Sequence, residues 1–175
     1  MLKNWLKKRV SEKGTVNSQR RGLLSKIVVG SGLLATASHL QAKTEDDAEL
    51  RFPGDPVENN VVYQFNKADE EYHKAVLFSV GAMLRKYGDN IKIVVTCIGP
   101  GLHILAKNPK RPVSAETKQR VSSLAQYGVE FHACGNTMKS LKWEEKDMLD
   151  FASIVEVGAA DLMELQQQGF AYISW

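Results

Sequence analysis

Cys134 sits in residues 128–141, GVEFHACGNTMKSL, where a short apolar strand pattern gives way to a glycine and then a helix-like run. That order places a thiol at the end of a strand and beside a helix N-terminus. Oriented N–H groups there favour the thiolate over the thiol, and the thiolate is the form that attacks sulfur or carbon centres. His132 lies two residues earlier, so both side chains point to the same face of the strand. Their spacing along the strand is about 6.5–7 Å. That is too long for an assured hydrogen bond and short enough to tune charge, although a strand histidine can equally be packed. Asn136 and Thr137 follow Gly135 and could cap the next helix or donate to a bound group. Lys139 could stabilise a thiolate or persulfide, or be a solvated helix lysine.

The other cysteine, Cys97, lies inside an apolar run and reads as a small buried core residue. A disulfide between the two would need Cα atoms closer than about 7 Å. There is no CxxC and no Cys/His cluster with zinc-site spacing, so no metal and no cofactor is expected. Met138, Trp143 and Met148 read as core or interface residues rather than cofactor contacts.

Several elements must position these groups. Residues 61–65 read as a strand. Residues 69–87 read as a helix, with Tyr72, Val76, Val80, Met83, Leu84 and Tyr87 at helical spacing, Asp69 as N-cap and Gly88 as stop. Residues 91–98 are apolar apart from Lys92 and Thr96, as a strand covered on both faces should be. A Gly99-Pro100-Gly101 turn leads to a short helix from Leu102, closed by Pro109 and Pro112. Ser114 can cap a helix that turns Val121, Leu124 and Ala125 inward and ends at Gly128. Residues 129–134 form the third strand pattern, followed by helix to about Leu141; 153–157 form the fourth, followed by helix 159–168 and a last short strand, 170–174. Strands separated by helices imply βαβ units, hence an α/β fold with a mostly parallel five-stranded sheet between helices.

In such sheets ligands bind beyond the carboxyl ends of the strands. The junctions there begin at Asn66, Gly99, Gly135 and Gly158, and glycine at three of them lets backbone approach a ligand. Gly101 belongs to the same turn, and His103 just past it is a candidate for the rim. The helix N-termini suit an anion. No GxGxxG or P-loop is present, so a nucleotide site has no motif.

The formal charge of +3 is unevenly spread. Residues 1–42 carry eight Lys/Arg against Glu12, a net of +7, which leaves 15 basic and 19 acidic residues, a net of −4. A nucleic-acid partner therefore has no basis in the remainder. Arg20-Arg21, a modest apolar stretch interrupted by Lys26, and small residues at 35–37 follow the order of a twin-arginine export signal. Cleavage after Ala37 or Ala42 is equally arguable. The apolar run is too short for a good membrane span. The expected organisation is a signal over 1–42, an acidic linker with Pro53, Gly54 and Pro56 over 43–59, and a folded domain over 60–175, in the periplasm. The aromatic C-terminus, FAYISW, needs cover from a sheet neighbour or another subunit.

VVYQFN, GPGLHIL, GVEFHACGNTMKS and VEVGAADLMELQQQGFAYI together resemble the DsrE/DsrF-like (YchN-like) family, with ACGNTM the most specific block. The likeness runs from about Val61 to Ser174 and is nearest to the small, exported, single-domain branch. It implies a three-layer α/β/α fold assembled as trimers or hexamers. In sulfur-relay members a cysteine after a G-V-x-x-x-x-C strand carries a persulfide between donor and acceptor proteins. Gly128-Val129 and Cys134 match that spacing, so the resemblance puts the carrier role on Cys134. It assigns no role to Cys97, and an export signal departs from relays that serve cytoplasmic chemistry. A module that binds a small anion, or an oligomeric scaffold with an inert Cys134, are the other readings.

Overall fold

The computed structural model describes residues 54–175. The expected export signal and most of the expected linker lie outside the described residues. The elements run β1 (Asn59–Phe65), α1 (Glu70–Tyr87), β2 (Ile91–Cys97), a 3₁₀ segment (Gly99–Leu105), α2 (Ala115–Gln126), β3 (Glu130–Cys134) and α3 (Gly135–Leu141). A short 3₁₀ turn (Glu145–Asp147), β4 (Ala152–Val155), α4 (Gly158–Gln167) and β5 (Ala171–Ile173) complete the chain. The five strands form one sheet in the order β4-β3-β2-β1-β5, and every pairing is parallel.

The strand order explains the layers. From β1 to β4 the chain steps always in one direction. Right-handed crossovers then put α1, α2 and α3 on a single face. From β4 it returns across the sheet to β5, which puts α4 on the other face. The packing agrees. On the first face Val61, Tyr63, Phe65, Ile93, Val95, Phe131 and Ala133 meet Val76, Leu77 and Val80 of α1, Val121 and Leu124 of α2, and Met138 of α3. On the second face Val62 and Val94 meet Leu162, Leu165 and Phe170. Complete burial of side chains of this size stabilises by about 1.5–3 kcal/mol each, so the first face holds most of the cohesion.

Local signals act as the sequence implies. Asp69 caps α1, its carboxylate accepting the Tyr72 N–H at 2.8 Å, and Gly88 ends that helix at φ 59°. Ser114 caps α2 by accepting the Thr117 N–H at 3.0 Å. The differences lie at element ends. β1 starts two residues early, because the Asn59 side-chain amide donates to the Asn90 carbonyl at 2.9 Å and lines it up with β2. The turn after β2 is already 3₁₀ from Gly99. A Cβ at Gly101 would lie 2.2 Å from the Phe65 carbonyl oxygen, so only glycine fits there. β4 stops at Val155, and α4 begins at Gly158 rather than Ala159.

Candidate functional site

β3 and β4 are neighbours whose following helices leave to opposite faces of the sheet. The crevice between two such junctions is where an open α/β sheet binds ligands. Cys134 occupies it as the last residue of β3 and the residue preceding α3.

Its sulfur lies between two helix starts. The Gly158 N–H, at the first residue of α4, donates to Cys134 Sγ at 3.3 Å. This approach depends on glycine. A Cβ at Gly158 would lie 2.7 Å from Ile98 Cγ1 and 3.0 Å from Cys134 Cβ. The sulfur makes no regular capping hydrogen bond at α3, yet the N–H groups of Asn136 and Thr137 lie close enough to favour its negative charge. The Thr137 hydroxyl lies close enough to favour that charge as well. Thr137 Oγ1 accepts the Gly99 N–H at 3.0 Å, which ties the first turn of α3 to the turn after β2. The Asn136 N–H is held by the Glu156 carbonyl at 3.1 Å, which locks α3 to the end of β4.

Burial alone would push the Cys134 thiol up. The Thr137 hydroxyl and the Gly158, Thr137 and Asn136 N–H groups outweigh it, and the thiol titrates below its ordinary value. The residue is only 4% exposed. It nevertheless borders a cavity of about 490 Å³, lined also by Ile98, Gly99, Pro100, His103, Arg111, Asn136, Thr137, Ser140, Leu141, Val157, Gly158 and Ala159. A small molecule fits in that volume with its reacting atom against the sulfur.

His103 also lines the cavity. It is 2% exposed, with Trp143 packed edge-on at 5.0 Å between ring centroids. The Arg111 N–H donates to His103 Nδ1 at 3.2 Å, so the neutral ring carries its proton on Nε2. Burial lowers its pKa, and the nearby charges of Arg111 and Lys110 lower it further. His103 is therefore neutral near pH 7.

Of the residues expected from sequence, Cys134, Gly99, His103, Asn136 and Thr137 meet at the cavity, while Gly101, His132, Gly135 and Lys139 do not line it. Gly101 instead packs on the end of β1, and Gly135 fits under the Val155 carbonyl, 3.0 Å from where its Cβ would be. Lys139 is exposed on α3. His132 shares the sheet face of Cys134 but is engaged elsewhere. Its Nδ1 lies 2.9 Å from Asp161 Oδ1, and Asp161 Oδ2 accepts the Thr96 hydroxyl at 2.6 Å. This ladder ties β2 and β3 to the first turn of α4 and so holds Gly158 near the sulfur.

Arg111, Ser140 and Leu141 escaped sequence reasoning, because nothing in a proline-flanked loop or at the end of α3 marks them as wall. Gly158 carried a signal, as one of the junction glycines. Cys97 is fully buried on the opposite face, without a disulfide, and burial pushes its thiol far up. Among the described residues no group of three or more His, Cys, Asp or Glu side chains could hold a metal ion. No described helix is long and apolar enough to cross a membrane.

A parallel α/β/α sheet with a donor-ringed cysteine at a strand–helix junction defines the structural class. The profile of the DsrE/DsrF-like family matches residues 59–175, and the chain belongs to that family, which is associated with sulfur relay. No curated protein matches the chain. Among solved structures it is similar to a protein of unknown function from Methanobacterium thermoautotrophicum, with 24% identity, a TM-score of 0.61, and coverage of 67% of this chain and 100% of the other. It is also similar to the ychN protein from E. coli, with 12% identity, a TM-score of 0.51, and coverage of 67% and 99% respectively. At these identities the likeness concerns the fold.

Proposed function

We propose that this protein handles sulfane sulfur, with Cys134 accepting a sulfur atom as a persulfide and passing it to an acceptor. The observation that carries this is the Cys134 sulfur, which accepts the Gly158 N–H at 3.3 Å and borders a cavity. A persulfide is a stronger acid than a thiol and exists as an anion at neutral pH, so donors that favour a thiolate suit the loaded form too. An inert, packed cysteine has no need of such donors, as Cys97 illustrates. Cys97 is sealed on the other face, so no described thiol is placed to resolve the persulfide internally, and the sulfur leaves to an external acceptor.

The test is direct. Reduced protein incubated with inorganic polysulfide should gain one sulfur atom on Cys134 by mass spectrometry, and Cys134→Ala should gain none. A wild-type protein that takes up no sulfur contradicts the proposal.

Two proposals about context accompany it. A homo-oligomer is supported by the exposed Ile154 on β4, Met163 on α4, and Tyr172 and Trp175 at the C-terminus; a monomeric mass by light scattering would refute it. Export to the periplasm is supported by the charge contrast and residue order of 1–42; recovery of an unprocessed, cytoplasmic chain from a bacterial host would refute that.

A further inference from the structure

The cavity wall has a chemical bias that sulfur handling alone does not require. Among its lining residues there is no carboxylate, and Arg111 is its one formal cation. The Arg111 backbone holds the ring of His103. Among the described residues the Arg111 guanidinium has no acidic partner. His103 is nearly fully buried, its Nδ1 is already occupied, and Nε2–H has no partner among the described residues. The cavity lining thus combines two unused donors with a nucleophilic sulfur. Thr137 and Ser140 add hydroxyls.

We propose that this wall is a binding subsite for a small sulfur oxyanion, and that thiosulfate is the class of donor that loads Cys134. The inference rests on the persulfide reading above. Its sulfonate oxygens would meet Arg111 and His103 Nε2–H, with the terminal sulfane sulfur toward Cys134. Amino-acid and glutathione persulfides fit less well, because the wall has no carboxylate to receive their ammonium group.

The chemistry balances within the site. The Cys134 thiolate attacks the terminal sulfur of thiosulfate, and a new Cys134 S–S bond forms. The S–S bond of thiosulfate breaks, and sulfite leaves with the electron pair. The products are a persulfide anion and sulfite, with no outside oxidant or reductant and no net proton change. As the bond breaks, charge builds on the sulfonate oxygens, where Arg111 and His103 donate.

The experiment compares two donors on the full chain, thiosulfate and inorganic polysulfide, which carries sulfane sulfur without a sulfonate. Wild type should load from both and release one sulfite per persulfide formed from thiosulfate. Arg111→Ala, at an exposed position, should slow loading from thiosulfate about tenfold more than loading from polysulfide, the effect of losing one charge-assisted hydrogen bond. Arg111→Lys, which keeps the charge but not the fork, should recover part of that loss. Loading from polysulfide alone, or an equal effect of Arg111→Ala on both donors, overturns the oxyanion subsite and leaves the carrier role standing. No loading from either donor overturns both.

Discussion

The two cysteines end adjacent parallel strands, Cys97 at the end of β2 and Cys134 at the end of β3, yet their environments are opposed. Cys97 is paired in register with Ala133, so Cys134, one residue further on, projects to the opposite face. Cys97 points into the larger core, where burial pushes its thiol far up. Cys134 is almost as covered, at 4% against 0% exposure, but its thiol is lowered. Burial raises both thiols, but Cys97 lies deep in the core with nothing to offset it, whereas Cys134 borders the cavity and has oriented donors that outweigh its burial.

The sharpest way to break this comparison is to exchange which thiol is lost. Cys134→Ala should abolish sulfur uptake altogether. Cys97→Ala should leave uptake intact and cost about 1 kcal/mol of stability in denaturant unfolding, the scale of a small core truncation. Uptake that fell with Cys97 rather than Cys134 would reverse the assignment.

Gly158→Ala comes next. Its new Cβ would meet Ile98 and Cys134, which forces the start of α4 away from the sulfur. Stability should drop by about 1–3 kcal/mol through overpacking. Alkylation of Cys134 should also need a higher pH. A variant that loses stability and keeps the wild-type pH–rate profile would show that the Gly158 N–H does not tune the thiol.

Thr137→Val is gentler. It keeps the shape but removes both the hydroxyl near the sulfur and the acceptor of the Gly99 N–H. Loss of one neutral hydrogen bond, about 1 kcal/mol, should slow alkylation at neutral pH about fivefold. Cys97 should not respond, since Thr137 is no part of its surroundings.

The smallest effect is on stability against pH. A group whose folded pKa is depressed stabilises above its unfolded pKa and loses that contribution as pH falls through the folded value. The stability difference between wild type and Cys134→Ala should therefore shift in favour of wild type as pH rises from neutral to above the ordinary thiol range. Urea unfolding at several pH values measures it; a shift in the opposite direction would mean a raised thiol.

The larger architecture was legible because its signals are local. Asp69 and Ser114 cap, Gly88 and Gly128 stop, and apolar spacing fixes which residues face inward. The cysteine, Gly99, His103, Asn136 and Thr137 could be placed at the rim because strand ends in a parallel sheet share one edge. What stayed hidden depends on contacts remote in sequence. His132 was read beside Cys134 by strand alternation alone, and only the fold brings Asp161, 29 residues later, to hold its ring. Arg111 reaches the cavity through a loop that carries no periodicity. Gly158 was legible as a turn glycine, but not as the donor to a sulfur 24 residues earlier.

The central claim is best tested by the rate of Cys134 alkylation by iodoacetamide against pH, measured on the folded full chain with mass spectrometry to separate the two thiols. The expected result is a midpoint below that of an ordinary thiol for Cys134, with Cys97 silent until the protein unfolds. A Cys134 that resists modification while folded, or titrates at or above the ordinary thiol range, would contradict the claim.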